Sequence, residues 1–277
     1  MRNPAFKIFI ICLFFLSAFS CKKDGYSGPK NEDNVIETLP AIHSAISANV
    51  SSNCAGYYEA IPARYDSSVK AYPLILFVHG IGELGNGTSD LSKMIRAGLP
   101  RLLNKKGFPP SFESGGEHFS FIVVSPQFKK WPTNDDVNAV LQYAIKKYRV
   151  DLSRIYVTGL SMGGGVAWEF SSRFGGSIAA IVPICGGSWP DTKRAQKIAS
   201  FNLPVWAFHN DDDKTVPVAY TLDYITKINS YHPSVPARVT TWVTGGHDSW
   251  TKAYDPSYKE KGMNMYEWML QYKRFSK

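Results

Sequence analysis

Gly159-Leu160-Ser161-Met162-Gly163 sets a hydroxyl between two glycines, after the apolar run Ile155-Tyr156-Val157-Thr158 and ahead of a second apolar stretch. Where a strand turns sharply into a helix at a G-x-S-x-G, the serine stands clear of the backbone with its Oγ free to attack a carbonyl carbon. Flanking glycines permit that strained turn and leave room around the hydroxyl. Met162 then falls at the helix N-terminus, with its N–H aimed where an oxyanion would form. A plain glycine-rich turn could carry the same five letters. It is the strand–turn–helix setting that assigns Ser161 as a nucleophile.

A serine nucleophile needs a base, and the base needs an orienting carboxylate. His247 lies late in the chain, on a loop flanked by Gly245 and Gly246. The other five histidines fit worse. His43, His118 and His232 lie in polar connecting stretches, and a structural role suffices for His79 and His209 at strand ends. Between Ser161 and His247, the loop from His209 to Pro217 offers Asp211, Asp212 and Asp213. Asp213 is favoured because the chain then turns through Val216-Pro217 into a helix. Asp211 and Asp212 read as a solvated acidic turn rather than a cation site. Ser161, Asp213 and His247 together specify acyl transfer through a covalent intermediate. HExxH, paired CxxC and GxGxxG before a helix are all absent, so no metal and no organic cofactor is expected.

Positioning three such residues requires a scaffold. Apolar runs at 72–78, 119–125, 154–158, 178–185, 203–209 and 238–243 read as strands, nearly continuous in apolar content as a sheet covered on both faces demands. Amphipathic patterns at 136–148, capped by Asn134, and at 161–174, 190–199, 218–229 and 264–274 read as helices. Strands alternating with helices of that length predict an α/β fold with a doubly wound, mostly parallel sheet and helices on both faces. The stretch 50–61 adds one or two antiparallel edge strands. Chemistry in such sheets gathers beyond the carboxyl ends of the strands. Glu83, Gln127, Trp131, Trp189 and Trp250 sit near those ends as candidate pocket residues.

The chain has 277 residues, of which 44% are hydrophobic, 14% aromatic and 19% charged. That is ample for one large core and excludes wholesale disorder, a coiled coil or an acidic tail protein. No repeat suggests a solenoid or propeller. The formal charge of +8 is scattered in short pairs such as Lys105–Lys106 and Lys129–Lys130, with no basic stripe and no nucleic-acid motif. Nucleic acid is therefore not an expected partner.

Arg2 and Lys7 precede an apolar run at 8–19 that ends in Ser20-Cys21, the order of a secretory signal, and the run is too short to span a bilayer. Leu16-Ser17-Ala18-Phe19-Ser20 before Cys21 resembles a loose bacterial lipobox, in which the cysteine becomes the lipidated N-terminus. The expected organisation is a signal over 1–21, a polar tether over 22–44 and one catalytic domain over 45–277. The expected location is an exported, periplasmic or cell-surface lipoprotein held to the membrane through Cys21. Cys54 and Cys185 are left in the domain, either paired or as two buried thiols.

Four stretches together resemble α/β-hydrolases of the dienelactone-hydrolase, phospholipase/carboxylesterase and feruloyl-esterase-like group. They are the run from Leu76 through His79-Gly80-Ile81-Gly82 to Gly85, the run from Val150 through Ser161 to Gly164, the His209 to Pro217 loop, and Gly245-Gly246-His247-Asp248-Ser249-Trp250 with Ala253-Tyr254. The order Ser161, Asp213, His247 is also the chain order of that fold. By this resemblance the Ile81 N–H, after His79-Gly80, is the second oxyanion donor beside Met162. Where the group usually has glycine after the loop histidine, this chain has Asn210. The resemblance implies an esterase acting on a small-molecule or polysaccharide-linked ester, such as feruloyl or acetyl groups on plant polysaccharides. Two alternatives stand beside it: a serine peptidase of the same fold, and a catalytically inactive cell-surface binding module.

Overall fold

In the computed structural model, the strands in chain order are β1 Ile42–Ser51, β2 Cys54–Ile61, β3 Tyr72–Val78, β4 Phe112–Ser114, β5 Glu117–Phe119, β6 Ile122–Phe128, β7 Val150–Leu160, β8 Ala180–Ile184, β9 Trp206–Asn210 and β10 Arg238–Trp242. The helices are α1 Gly98–Asn104, α2 Asn134–Lys147, α3 Met162–Phe174, α4 Thr192–Ser200, α5 Val218–Asn229, α6 Trp250–Ala253 and α7 Met265–Leu270. The structure describes Met1 and residues 36–274. The expected signal, Cys21 and most of the expected tether lie outside the described residues. β1 begins at Ile42, inside the stretch expected to be tether.

Eight strands form one sheet in the order β1-β2-β6-β3-β7-β8-β9-β10. β1 with β2 and β2 with β6 pair antiparallel, and every later pair is parallel. This is the doubly wound, mostly parallel arrangement that the alternation of strands and helices predicts, and the one that the resemblance to α/β-hydrolases implies. Alternation along β3 shows why the sheet needs cover on both sides: Leu74, Leu76 and Val78 enter one core, Ile75 and Phe77 the other. α2, α3, α4 and α5 close the first face with residues such as Val140, Val166, Ile198 and Tyr224. α1, α6 and α7 close the second with Leu99, Ala253 and Met269. Fully burying one such large apolar side chain contributes about 1.5–3 kcal/mol.

Several expected boundaries are corrected. The run at 119–125 is two elements, because β5 pairs with β4 across Gly115 and Gly116, both in the left-handed region at φ 61° and 79°. The second element, β6, continues through Pro126 to Phe128. Proline survives there because the Phe128 amide points away from β2, to His79 Nε2 at 3.0 Å. By the two-residue period of a strand, Pro126 nitrogen faces that same side, beyond the last β3–β6 pair at Leu76 and Val124. α2 is capped by Thr133 rather than Asn134. The Thr133 Oγ1 accepts from the Asp136 amide and the Asp136 carboxylate accepts from the Thr133 amide, a reciprocal cap of about 1 kcal/mol. Cys54 and Cys185 are both buried free thiols, Cys54 opening β2 and Cys185 just past the end of β8, and three strands lie between β2 and β8.

Candidate active site

β7 ends at Leu160 and α3 begins at Met162, so Ser161 alone makes the turn between them. It does so at φ 53° and ψ −116°, a conformation that costs a non-glycine residue about 1–3 kcal/mol. The surroundings over-determine it. Its amide donates to the Ile184 carbonyl at 2.9 Å, and its carbonyl accepts from the Gly165 and Gly187 amides at 3.0 Å each. The glycines that follow Ser161 are required by contact as well as by the turn. A Cβ on Gly163 would stand 2.0 Å from the Val78 carbonyl oxygen, and one on Gly164 2.3 Å from that of Ile184. The first turn of α3 thus seats on the bare ends of β3 and β8.

His247 Nε2 lies 2.8 Å from Ser161 Oγ, and His247 Nδ1 lies 2.7 Å from Asp213 Oδ2. A carboxylate can only accept, so Nδ1 carries the ring proton and Nε2 accepts from the serine hydroxyl. Asp213 is buried, and its other oxygen, Oδ1, accepts from the amides of Thr215 at 2.8 Å and Val216 at 3.0 Å. Burial alone would raise its pKa. The hydrogen bond from His247 and the two amides outweigh burial and hold the carboxyl below the usual carboxylate range. Three strand ends supply the three residues: β7 gives Ser161, β9 leads to Asp213 and β10 leads to His247.

On the other side of Ser161, β3 runs through His79-Gly80 into a 3₁₀ turn, Ile81–Glu83. Ile81 and Met162 each open a helical turn, where the N–H has no acceptor within the element. A Cβ on Gly80 would stand 3.7 Å from Ser161 Cβ, so this loop passes directly beside the serine. His79 fastens it: Nδ1 donates to the Gly80 carbonyl at 2.6 Å while Nε2 accepts from the Phe128 amide. Burial brings the His79 pKa down to about 4, which keeps the accepting nitrogen free at neutral pH. Glu83 lies against Gly80, its pKa raised by burial and only partly offset by the Gly80 and Glu83 backbone and by Arg96.

A glycine-flanked serine at the head of a helix, hydrogen-bonded to a histidine that a buried carboxylate orients, is a serine-hydrolase constellation. The model of the phospholipase/carboxylesterase family matches residues 61–254, a segment that holds all three residues. The chain belongs to that family. It is 25% identical over 142 residues to a bifunctional acetylxylan esterase/xylanase of Neocallimastix patriciarum, a match covering 51% of this chain and 19% of the relative. The chain therefore spans about a fifth of that relative's length. Among solved structures it is similar in fold to a thermostable esterase, with TM-score 0.60 and 23% identity over 86% of this chain and 64% of that one. A ferulic acid esterase has TM-score 0.53 and 18% identity over 77% of this chain and 93% of its own.

The expected pocket residues in this family member divide. The Trp250 ring meets the His247 ring edge to face, with centroids 5.3 Å apart at 89°. Beyond it, Trp250, Tyr254, Leu102 and Arg101 wall a cavity of about 480 Å³. Trp131 reaches Gly187, whose own backbone lies against Ser161: a Cβ there would be 3.8 Å from the indole and 3.7 Å from the Ser161 carbonyl oxygen. Trp189 is exposed and stands edge-on to Tyr220 at 5.1 Å. Gln127 is corrected. It is fully buried, and its amide is spent on Gly87 N–H, Glu83 O and Asp90 O, so it pins the loop after the 3₁₀ turn and faces no pocket.

Three supports were not legible in the sequence. Asp212, expected to be solvated, accepts from the amides of Gly246 at 2.8 Å and Gly245 at 3.3 Å. Asn210 donates from its side chain to the Gly246 carbonyl at 2.9 Å. Together they clamp the loop that carries His247, and Gly245 at φ 144° leaves the room that Asn210 fills. The third is His209. Its Nδ1 accepts from Thr221 Oγ1 at 2.8 Å, leaving Nε2–H shared between Asp213 Oδ2 at 3.1 Å and the Val216 carbonyl at 2.9 Å. Burial lowers its pKa despite the Val216 carbonyl and the Asp213 carboxylate, so the ring stays neutral and the donor stays aimed. His209→Leu should therefore cost about 10-fold in kcat/KM with KM little changed, and about 1–3 kcal/mol of stability from the polar groups left unpaired. Steady-state kinetics with a thermal melt check both. An unchanged kcat beside a lowered Tm would reduce His209 to a purely structural role.

Proposed function

We propose that this chain is an exported serine carboxylesterase that cleaves carboxylic esters through an acyl-enzyme. The observation that carries the reading is the unbroken relay from Ser161 Oγ through His247 to the buried Asp213. Ser161 Oγ bonds to the ester carbonyl carbon while its proton passes to His247 Nε2. Asp213 keeps the Nδ1 proton in place and stabilises the imidazolium. The carbonyl oxygen, now an oxyanion, takes hydrogen bonds from the Ile81 and Met162 amides, each worth about 3 kcal/mol. The C–O bond to the alcohol then breaks, and the leaving oxygen takes the proton from His247. Water repeats the sequence on the acyl-enzyme and releases the acid.

The substrate class we assign is an acyl group on a plant polysaccharide, acetyl or feruloyl. The acetylxylan esterase named in the Neocallimastix patriciarum relative supports it, as do Trp131, Trp189 and Trp250 near the strand ends, aromatic faces of the kind that meet sugar or phenolic rings. Export and attachment through Cys21 complete the reading, on the basic, apolar and small-residue order that ends there. Among the described residues no helix is long and apolar enough to cross a membrane.

A panel of p-nitrophenyl esters from acetyl to octanoyl, with a feruloyl ester, acetylated xylan and a peptide p-nitroanilide, tests the proposal. The expected profile is turnover of acetyl and feruloyl esters with the anilide untouched. Preference for the anilide would replace the esterase by a peptidase of the same fold.

A further inference from the structure

Immediately behind the His247–Asp213 pair lies a thiol that the acyl-transfer sequence does not use. Cys185 follows β8 with φ 39°, an uncommon left-handed position for a side chain with a Cβ, and its amide donates to the Phe208 carbonyl at 2.8 Å. The residue is fully buried. Its Sγ, a carboxylate oxygen of Asp213 and a ring nitrogen of His247 all lie within 4.8 Å of one another. Burial pushes the thiol pKa up to about 12, so without an added electrophile Cys185 is an inert neighbour.

A second observation points to the same spot. Ser249, two residues after His247, is fully buried, and among the described residues its Oγ has no oxygen or nitrogen partner. Its hydroxyl faces the Cys185 thiol. A thiol is a weak hydrogen-bond partner, so the Ser249 oxygen keeps lone-pair capacity that a cation would use.

We propose that Cys185 Sγ, Asp213 and His247 Nδ1, with Ser249 Oγ beside them, form an inhibitory site for a divalent cation of the zinc type. Sulfur, imidazole nitrogen and carboxylate oxygen are the donors that Zn²⁺ takes, at about 2.3, 2.0 and 2.1 Å. Ligands around one tetrahedral ion stand roughly 3.3–3.8 Å apart on those bond lengths. A spread of 4.8 Å closes by side-chain shifts of about 1 Å, within ordinary rotamer adjustment. The chemistry of inhibition follows from the tautomer. Metal on Nδ1 moves the ring proton to Nε2, the atom that must accept from Ser161 Oγ, and the Cys185–metal bond releases the thiol proton to solvent. A ring already protonated on Nε2 cannot act as the base.

The ligand set stands independently of the ester reading; only the inhibition rests on it, so the test has one arm for each. In the binding arm, Co²⁺ is added to metal-free protein and a sulfur-to-cobalt charge-transfer band is sought in the near ultraviolet, with no substrate present. In the activity arm, ZnCl₂ is titrated into p-nitrophenyl acetate hydrolysis in a non-chelating buffer and then reversed with EDTA. The wild type is expected to show the band and reversible inhibition. Cys185→Ser and Cys185→Ala should keep basal turnover, lose the band and require at least about 30-fold more Zn²⁺, since one of three strong ligands is gone. No band in the wild type, or Zn²⁺ sensitivity unchanged in both variants, would overturn the site. Absence of ester turnover with the band intact would sink the esterase reading and leave the metal site standing.

Discussion

Ser161→Ala should lower kcat/KM on a p-nitrophenyl ester by about 10⁴-fold or more, and adding His247→Ala to it should cost almost nothing further. The expectation rests on the two groups working as one unit. His247 Nε2 is 2.8 Å from Ser161 Oγ and has no proton to remove once the hydroxyl is gone. Independent contributions would instead multiply, giving a double variant far worse than either single one. Stability should move little in the Ala variant, because alanine inherits the same φ of 53°. Ser161→Gly sharpens the point. It should be as inactive yet more stable by about 1 kcal/mol, since glycine adopts that backbone without strain. Equal melting temperatures for the Gly and Ala variants would show that the turn stores no strain.

The second large effect is expected at a residue with no chemistry of its own. Gly163→Ala places a methyl 2.0 Å from the Val78 carbonyl oxygen, and neither partner is a flexible side chain. The start of α3 must lift off β3, carrying Ser161 with it. Overpacking of this kind costs about 1–3 kcal/mol and more where backbone meets backbone, and a displacement near 1 Å at the nucleophile costs about 100-fold in rate. Gly163→Ala should therefore fold poorly, and any folded fraction should have lost at least that much kcat. Gly176→Ala is the matched control: its Cβ would meet only Phe201 ring atoms at 3.6 and 3.8 Å, so it should stay within about 0.5 kcal/mol of the wild type. Thermal melts and active-site-normalised rates separate the two. A Gly163→Ala protein with wild-type melting and turnover would mean that α3 has slack that this packing denies.

Both effects concern residues that the amino-acid sequence already singles out, and the reason is local. G-x-S-x-G after an apolar strand is read from neighbours in the chain, and the order of Asp213 and His247 follows from where strands end. The β5 hairpin and the passage of β6 through Pro126 are less visible. Proline stops a strand only if its nitrogen faces a partner, and that depends on how far β3 extends beside it. The supports of the relay are less visible still. His209 and Asn210 close β9, Asp212 and Asp213 follow it, and the Gly245–Gly246 turn follows β10; their hydrogen bonds span up to 36 residues. Short-range pattern could not join them, so Asp212 read as solvent-facing and Gln127, another strand-end polar residue, read as pocket-facing. A buried polar side chain and a substrate-facing one have the same letter. Only the hydrogen-bond partners distinguish them.

Labelling with a fluorophosphonate tests the central claim most directly, since the reagent needs an activated serine but no particular substrate. The wild type should take up one equivalent, with the mass increase on the peptide that contains Ser161, and Ser161→Ala should remain unlabelled. His247→Ala should react far more slowly than the wild type, because the hydroxyl is then no stronger a nucleophile than any other serine. No labelling of the wild type, or equal labelling with Ser161 replaced, would contradict the assignment of Ser161, Asp213 and His247 as an acyl-transfer site.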